Sequence, residues 1–167
     1  MKMDLIQPFI GSLDAVLAEL TGTPVSIADV TMEEEGYRRK GLAALVVFEG
    51  QIEGRVVLDV DSNVAAKVAS TMVGEGGDVA GEIVPEAVCE LANMVIGNAV
   101  TQLNDQGSQF KVLPPSILSG ELSEKIGRDT EATVLSFHTA VGDVRLNVSM
   151  HHHTRRFGER SPVTIGK

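Results

Sequence analysis

Only one cysteine, Cys89, occurs in 167 residues, which excludes an intramolecular disulfide, and no Cys/His pair has the spacing of a structural zinc site. Long apolar runs are missing as well. The longest uninterrupted one, Leu42 to Phe48, falls far short of the ~20 residues needed to cross a bilayer, so no membrane role is expected. Asp4, Asp14 and Glu19 interrupt the apolar stretch that a secretory signal requires, and the expected compartment is the cytoplasm. Positive charge is scarce too. Fourteen basic against twenty-three acidic side chains give a formal net charge of −9, the wrong sign for binding a nucleic-acid backbone. The one basic cluster, Arg38-Arg39-Lys40, follows Glu33-Glu34-Glu35 and Gly36 and reads as a solvated loop of mixed sign.

The sequence does hold enough apolar residues, 43% of the chain, to bury a core and to exclude intrinsic disorder. A single domain is expected over residues 1–155, with a polar tail over 156–167. From Asp4 to Leu20 apolar residues recur at three- and four-residue steps, the mark of an amphipathic helix that Gly22 and Pro24 end. Three β-branched stretches follow, Val25 to Met32, Leu42 to Phe48 and Ile52 to Val60, the last two joined by a tight hairpin at Glu49-Gly50-Gln51. Asp61-Ser62-Asn63 offers capping residues for a helix over Val64 to Val73, closing at the flexible turn Gly74-Glu75-Gly76-Gly77. That glycine cluster lacks the Gly-Lys-Ser/Thr ending of a phosphate-binding loop and follows a helix instead of a strand.

A longer helix begins at Val84-Pro85 and persists to about Asn104. The remainder reads as strands: Phe110 to Leu118, broken or pushed to a sheet edge by Pro114-Pro115, then Ala132 to Ala140 and Val144 to Met150, joined at Gly142-Asp143. This order lacks strict strand-helix alternation. It predicts an α+β fold, a single largely antiparallel sheet with helices packed on one face.

On a helical wheel the stretch Val84 to Leu103 gathers Val84, Val88, Leu91, Ala92, Val95, Ala99 and Leu103 on a core side. Glu86, Glu90, Asn93 and Gly97 gather on the opposite side, with Glu90 and Asn93 direct neighbours at i and i+3. Mid-helix Asn is unfavourable and an exposed Gly costs about 1 kcal/mol relative to Ala, so local helix stability did not select either. Two readings of this face stand at this point. It is a solvated surface with an incidental glycine, or a docking surface carrying a carboxylate and an amide where Gly97 leaves room for another molecule.

The string Glu86-Ala87-Val88-Cys89-Glu90-Leu91-Ala92-Asn93-Met94-Val95-Ile96-Gly97-Asn98 resembles the active-site helix of the CheC/CheX/FliY family of chemotaxis phosphatases, a Glu-x-x-Asn pair followed four residues later by Gly. Gln7-Pro8-Phe9-Ile10, ahead of a Leu/Val-rich helix ending in Thr21-Gly22, is similar to the opening of the CheX branch of that family. The resemblance implies an enzyme that dephosphorylates a CheY-like receiver domain at its phosphorylated aspartate. In that reading Asn93 positions the attacking water, Glu90 docks the partner, and Glu86 and Gly97 belong to the partner-binding face. It implies one site per chain, because Val64 to Val73 contains no Glu-x-x-Asn. It also implies a homodimer formed through sheet edges, and no metal or cofactor in this chain, with a magnesium ion in the partner receiver. The competing expectation is a non-catalytic module that binds a receiver as an adaptor or sink. His151-His152-His153 departs from the family and reads as an exposed turn, while His138 reads as a packed or paired strand residue.

Overall fold

The apolar steps at the start of the chain form α1 (Met3–Thr21), which buries Leu5, Ile6, Phe9, Leu13, Val16 and Leu17. It ends at Gly22, whose φ of 72° lets its N–H donate to the Ala18 carbonyl at 2.9 Å and cap the last turn. The computed structural model describes residues 3–22, 24–33, 37–38, 40–74, 83–107, 109–118, 121–122 and 132–152. After α1 come β1 (Ser26–Glu33), β2 (Tyr37–Arg38), β3 (Leu42–Gly50), β4 (Ile52–Val60), α2 (Ser62–Val73) and α3 (Ile83–Asp105). Five strands complete the chain: β5 (Phe110–Val112), β6 (Ser116–Ile117), β7 (Glu121–Leu122), β8 (Ala132–His138) and β9 (Asp143–His152).

Seven strands form one sheet in the order β1-β8-β9-β4-β3-β5, with β6 also paired to β3, and every pairing is antiparallel. Tight reversals make that direction the natural one. Between β8 and β9, Thr139 N–H donates to the Gly142 carbonyl at 2.9 Å and Gly142 N–H donates to Thr139 Oγ1 at 3.0 Å. The turn therefore sits at Thr139–Gly142, and Asp143 already opens β9. The period-2 alternation then divides the sheet into two faces. Val56, Leu58 and Val60 lie opposite Val148, Leu146 and Val144 and join one buried cluster with the inward sides of all three helices. The α+β architecture with helices on one face is thus what the sequence pattern predicts. Burying each Val, Leu or Phe side chain stabilises it by roughly 1.5–3 kcal/mol.

The other face of the sheet combines a small apolar cluster, Ala43 and Val57 with Leu45 and Leu118, with buried polar side chains. Asp59 accepts the Lys40 and Gly41 N–H groups at 2.6 and 2.8 Å and faces Arg145 Nη2 at 3.7 Å. Arg145 Nη2 also donates to Asp61 Oδ1 at 2.8 Å, and Arg55 Nη1 donates to Asn147 Oδ1. Gly54, with φ 137°, lies where a Cβ would approach the Ser149 carbonyl oxygen to 1.9 Å, so only glycine fits that point of β4.

Three expectations are corrected. Asp61 stands at the N-cap of α2 but makes no side-chain capping bond, because its carboxylate is used across the sheet by Arg145 and the Asp143 N–H. His151 and His152 are not in an exposed turn: β9 continues through them, paired with Glu53 and Ile52. Arg38 lies in β2, which pairs with β7 in a two-stranded ribbon that the hydropathy pattern does not reveal. Phe110 to Leu118 is broken at its prolines, as expected: it forms two short strands on the β3 edge separated by Leu113-Pro114-Pro115, because neither proline has an N–H for a ladder. Arg39, Glu34, Glu35 and Gly36, the turn residues 75–77, His153 and the tail 156–167 lie outside the described residues.

Candidate active site

α3 is 23 residues long and by length and composition alone could cross a membrane. Its apolar side, however, faces protein: Ala87, Val88, Leu91, Ala92, Val95, Ile96, Ala99 and Leu103 are buried, and the helix packs on α1, α2 and β3. Its rotation about its axis is fixed from behind, where buried Ser12 Oγ donates to the Val95 carbonyl at 2.6 Å. That bond lies two residues beyond Asn93. It holds the opposite side of the helix turned outward.

On that outward side Glu86, Glu90, Asn93 and Gly97 are all exposed, so the structure brings the four sequence-selected residues into one strip. At 1.5 Å per residue, Glu90 and Asn93 are offset by about 4.5 Å along the axis and Gly97 lies about 6 Å further. A Cβ built on Gly97 meets nothing within 4 Å. Among the described residues, no hydrogen bond or ion pair engages the Glu86, Glu90 or Asn93 side chain. A free carboxylate can accept charged donors and a free amide can both accept from a water and donate to an oxyanion.

Beside this strip runs a groove of about 390 Å³ that sequence reasoning missed. One wall is Asn93, Ile96, Gly97 and Val100 of α3; the other is Val112, Leu113, Pro114 and Pro115, with Val46 of β3 at its base. The only signal in the sequence was Pro114-Pro115, which reads as a strand breaker and not as a wall. Phe48 stacks edge-on with Phe9 and with Phe110, at centroid distances of 6.3 and 5.5 Å, and so ties β5 to β3 and α1.

The other candidates fall away from the strip. Cys89 is half-buried, and burial followed by the nearby Glu86 carboxylate pushes its thiol above the ordinary value, so it stays protonated. His138 is paired, its Nδ1 lying 2.6 Å from Asp143 Oδ1 at the β8–β9 turn. Among the described residues no group of three or more His, Cys, Asp or Glu side chains is gathered in a way that could hold a metal ion.

A sequence model of the family described as chemotaxis phosphatase CheX matches residues 42–138, more than half of the chain and the whole of α3. The chain is 26% identical over 128 residues to the CheY-P phosphatase CheX of Thermotoga maritima, covering 72% of this chain and 78% of that one. Among solved structures it is similar to a CheC-like superfamily protein from a Shewanella species, with a TM-score of 0.75 and 24% identity over 90% of this chain and 99% of that one. It is also similar to the protein in a CheX-CheY-BeF3-Mg complex from Borrelia burgdorferi, with a TM-score of 0.61 and 24% identity over 90% of this chain and all of the other.

Proposed function

The chain belongs to the chemotaxis phosphatase CheX family, and from that premise we propose that it dephosphorylates a CheY-type receiver domain, with Asn93 positioning the attacking water and Glu90 docking the partner. The observation that carries this reading is the exposed pair Glu90 and Asn93, one turn apart on α3, inside the stretch the family matches and unengaged by any other described residue. The relatives support it, since one is named a CheY-P phosphatase and another stands in a complex with CheY.

The reaction asks little chemistry of this chain. Water attacks the phosphorus of the aspartyl phosphate, the bond from phosphorus to the carboxyl oxygen breaks, and the aspartate leaves as a carboxylate while phosphate and a proton are released. An acyl phosphate is already activated, and the receiver's magnesium ion offsets the developing charge, so holding the water in line supplies most of what remains. The Asn93 amide can accept from that water without changing its own charge. Glu90 sets the register by pairing with a basic side chain of the receiver, and Glu86, one turn earlier, extends the same acidic footprint.

A second copy is proposed to pair through the β1 edge of the sheet, where Ile27 and Val30 are 46% and 52% exposed. Light scattering that reports a monomer at micromolar concentration would overturn that assembly. The proposed compartment is the cytoplasm.

Loss of phosphate from magnesium-loaded, phosphorylated CheY, followed with this chain in saturating excess, tests the reaction. Asn93→Ala should cut the maximal single-turnover rate by on the order of a hundredfold while leaving affinity nearly intact. Glu90→Ala should chiefly weaken association, by roughly 1.5–3 kcal/mol. Full rate with Asn93→Ala at saturation would leave the helix as a non-catalytic adaptor surface.

A further inference from the structure

The groove beside the strip has a lining that the reaction itself does not use. Asn93 is its single polar lining side chain; the rest is Val, Ile, Leu, Pro and Gly. Its volume of about 390 Å³ lies at the lower end of the roughly 300–1,000 Å³ of built binding sites. Both walls are held. Leu113 N–H donates to the Val47 carbonyl and Leu118 N–H to the Ala43 carbonyl, at 3.0 and 2.9 Å, so the Leu113-Pro115 wall is anchored to β3 at both ends. Pro114 and Pro115 have fixed φ and no N–H, so this wall offers contact area and no hydrogen-bond donor to an entering backbone. What fits is an apolar side chain.

We propose that this groove is a specificity pocket for a large apolar side chain, aromatic or branched aliphatic, projected by the receiver from a loop beside its phosphorylated aspartate. The inference rests on the receiver-phosphatase reading and deepens it. The occupant follows from continuity: Asn93 belongs both to the strip and to the groove lining, so a receiver whose phosphoryl group is seated at the amide has a flanking loop within reach of Gly97 and the Val100–Leu113 gap. Along α3 the surface thus passes from the acidic Glu86 and Glu90, through the amide, to the apolar groove bordered by Ile96, Gly97 and Val100, with exposed Thr101 beside it. The matching partner surface is basic, then phosphorylated, then apolar, an order few surfaces carry by accident.

The test uses the full chain and a beryllofluoride-loaded, magnesium-bound CheY as an unreactive mimic of the phosphorylated receiver, with affinity read by calorimetry. Leu113→Glu should weaken binding about tenfold to a hundredfold, as expected from losing one buried large apolar contact, and should raise KM without lowering kcat on phosphorylated CheY. Leu113→Met should restore both. Val100→Thr, which puts a hydroxyl into the groove from the helix wall, gives the same answer should Leu113→Glu not fold. Serine replacements of the receiver's exposed apolar residues around its phosphorylation site should include one whose loss is not additive with that of Leu113→Glu. Undiminished affinity in both groove variants, while Asn93→Ala still cuts the maximal rate by on the order of a hundredfold, would overturn the pocket and leave the phosphatase reading standing. No binding of CheY by the unmodified chain would overturn both.

Discussion

Polar side chains occupy two surfaces of this molecule and meet opposite fates. On the sheet face turned from the helices, Asp59 and Arg145 are buried and answered from within the chain, by the Lys40 and Gly41 N–H groups and by Asp61. Two atoms are partial exceptions: Asn147 Oδ1 accepts from Arg55, but Asn147 Nδ2 and Arg145 Nε are buried with no hydrogen-bond partner among the described residues. On the outer face of α3, Glu86, Glu90 and Asn93 are exposed and their side chains make no hydrogen bond or ion pair with another described residue. Polar groups that serve the fold are satisfied internally, because an unanswered buried charge costs several kcal/mol. Those of α3 face solvent, where water answers them without cost to the fold, and in the proposed reading a receiver takes the place of that water.

The largest expected effect breaks the buried side of this comparison. Arg145→Ala leaves Asp59 buried with its carboxylate short of a cation, and should lower unfolding free energy by roughly 3–5 kcal/mol. Denaturant titration measures this. A loss below about 1 kcal/mol would show that the Lys40 and Gly41 N–H groups alone suffice for Asp59, and that the two surfaces differ less than the geometry implies.

The same contrast explains what was legible in the sequence. The helix-facing residues, such as Val56-Leu58-Val60 and the Leu/Val side of α3, announce themselves by period because they bury against an apolar layer. The exposed strip was legible as well, since Asn93 and Gly97 are poor helix choices with nothing local to excuse them. Arg55, Asp59 and Arg145 gave no such signal. They fall on alternate strand positions where a charged side chain reads as solvent-facing, and only the pairing register brings Asp59 opposite Arg145. Asp61 was read as a helix cap for the same reason: its use across the sheet depends on a residue 84 positions away. The groove was hidden likewise. It exists only because β5 and β6 both return to β3 and carry Leu113-Pro115 alongside α3.

A smaller effect, of opposite sign, sharpens the α3 side. Gly97→Ala adds a methyl where nothing lies within 4 Å and replaces a poor helix former with the best one, so the folded state should gain up to about 1 kcal/mol. Calorimetric unfolding reads this as a rise in Tm. A fall in Tm would mean that Gly97 serves the fold, and that the strip is not free of internal demands.

The smallest effect lies where the two regimes meet, at Asp61, which is joined to the buried network but 39% exposed along its side chain. Burial works against its ionisation, yet the Arg145 hydrogen bond, the Asp143 N–H and the Arg145 charge together hold its carboxyl below the ordinary value of 3.8. A carboxyl depressed in the folded state contributes stability that is fully present above its unfolded value and is lost as pH falls through the folded one. Asp61→Asn keeps an acceptor for both donors and removes only the charge, so with solvent screening the cost near neutral pH should be under about 1 kcal/mol. The difference in Tm between the unmodified chain and Asp61→Asn should be constant above about pH 5 and should narrow below about pH 4, where protonation removes the same charge from the unmodified chain. A gap that persists unchanged into that acid range would show that the aspartate acts through shape and hydrogen bonding instead of charge, which would place it with the backbone donors around Asp59.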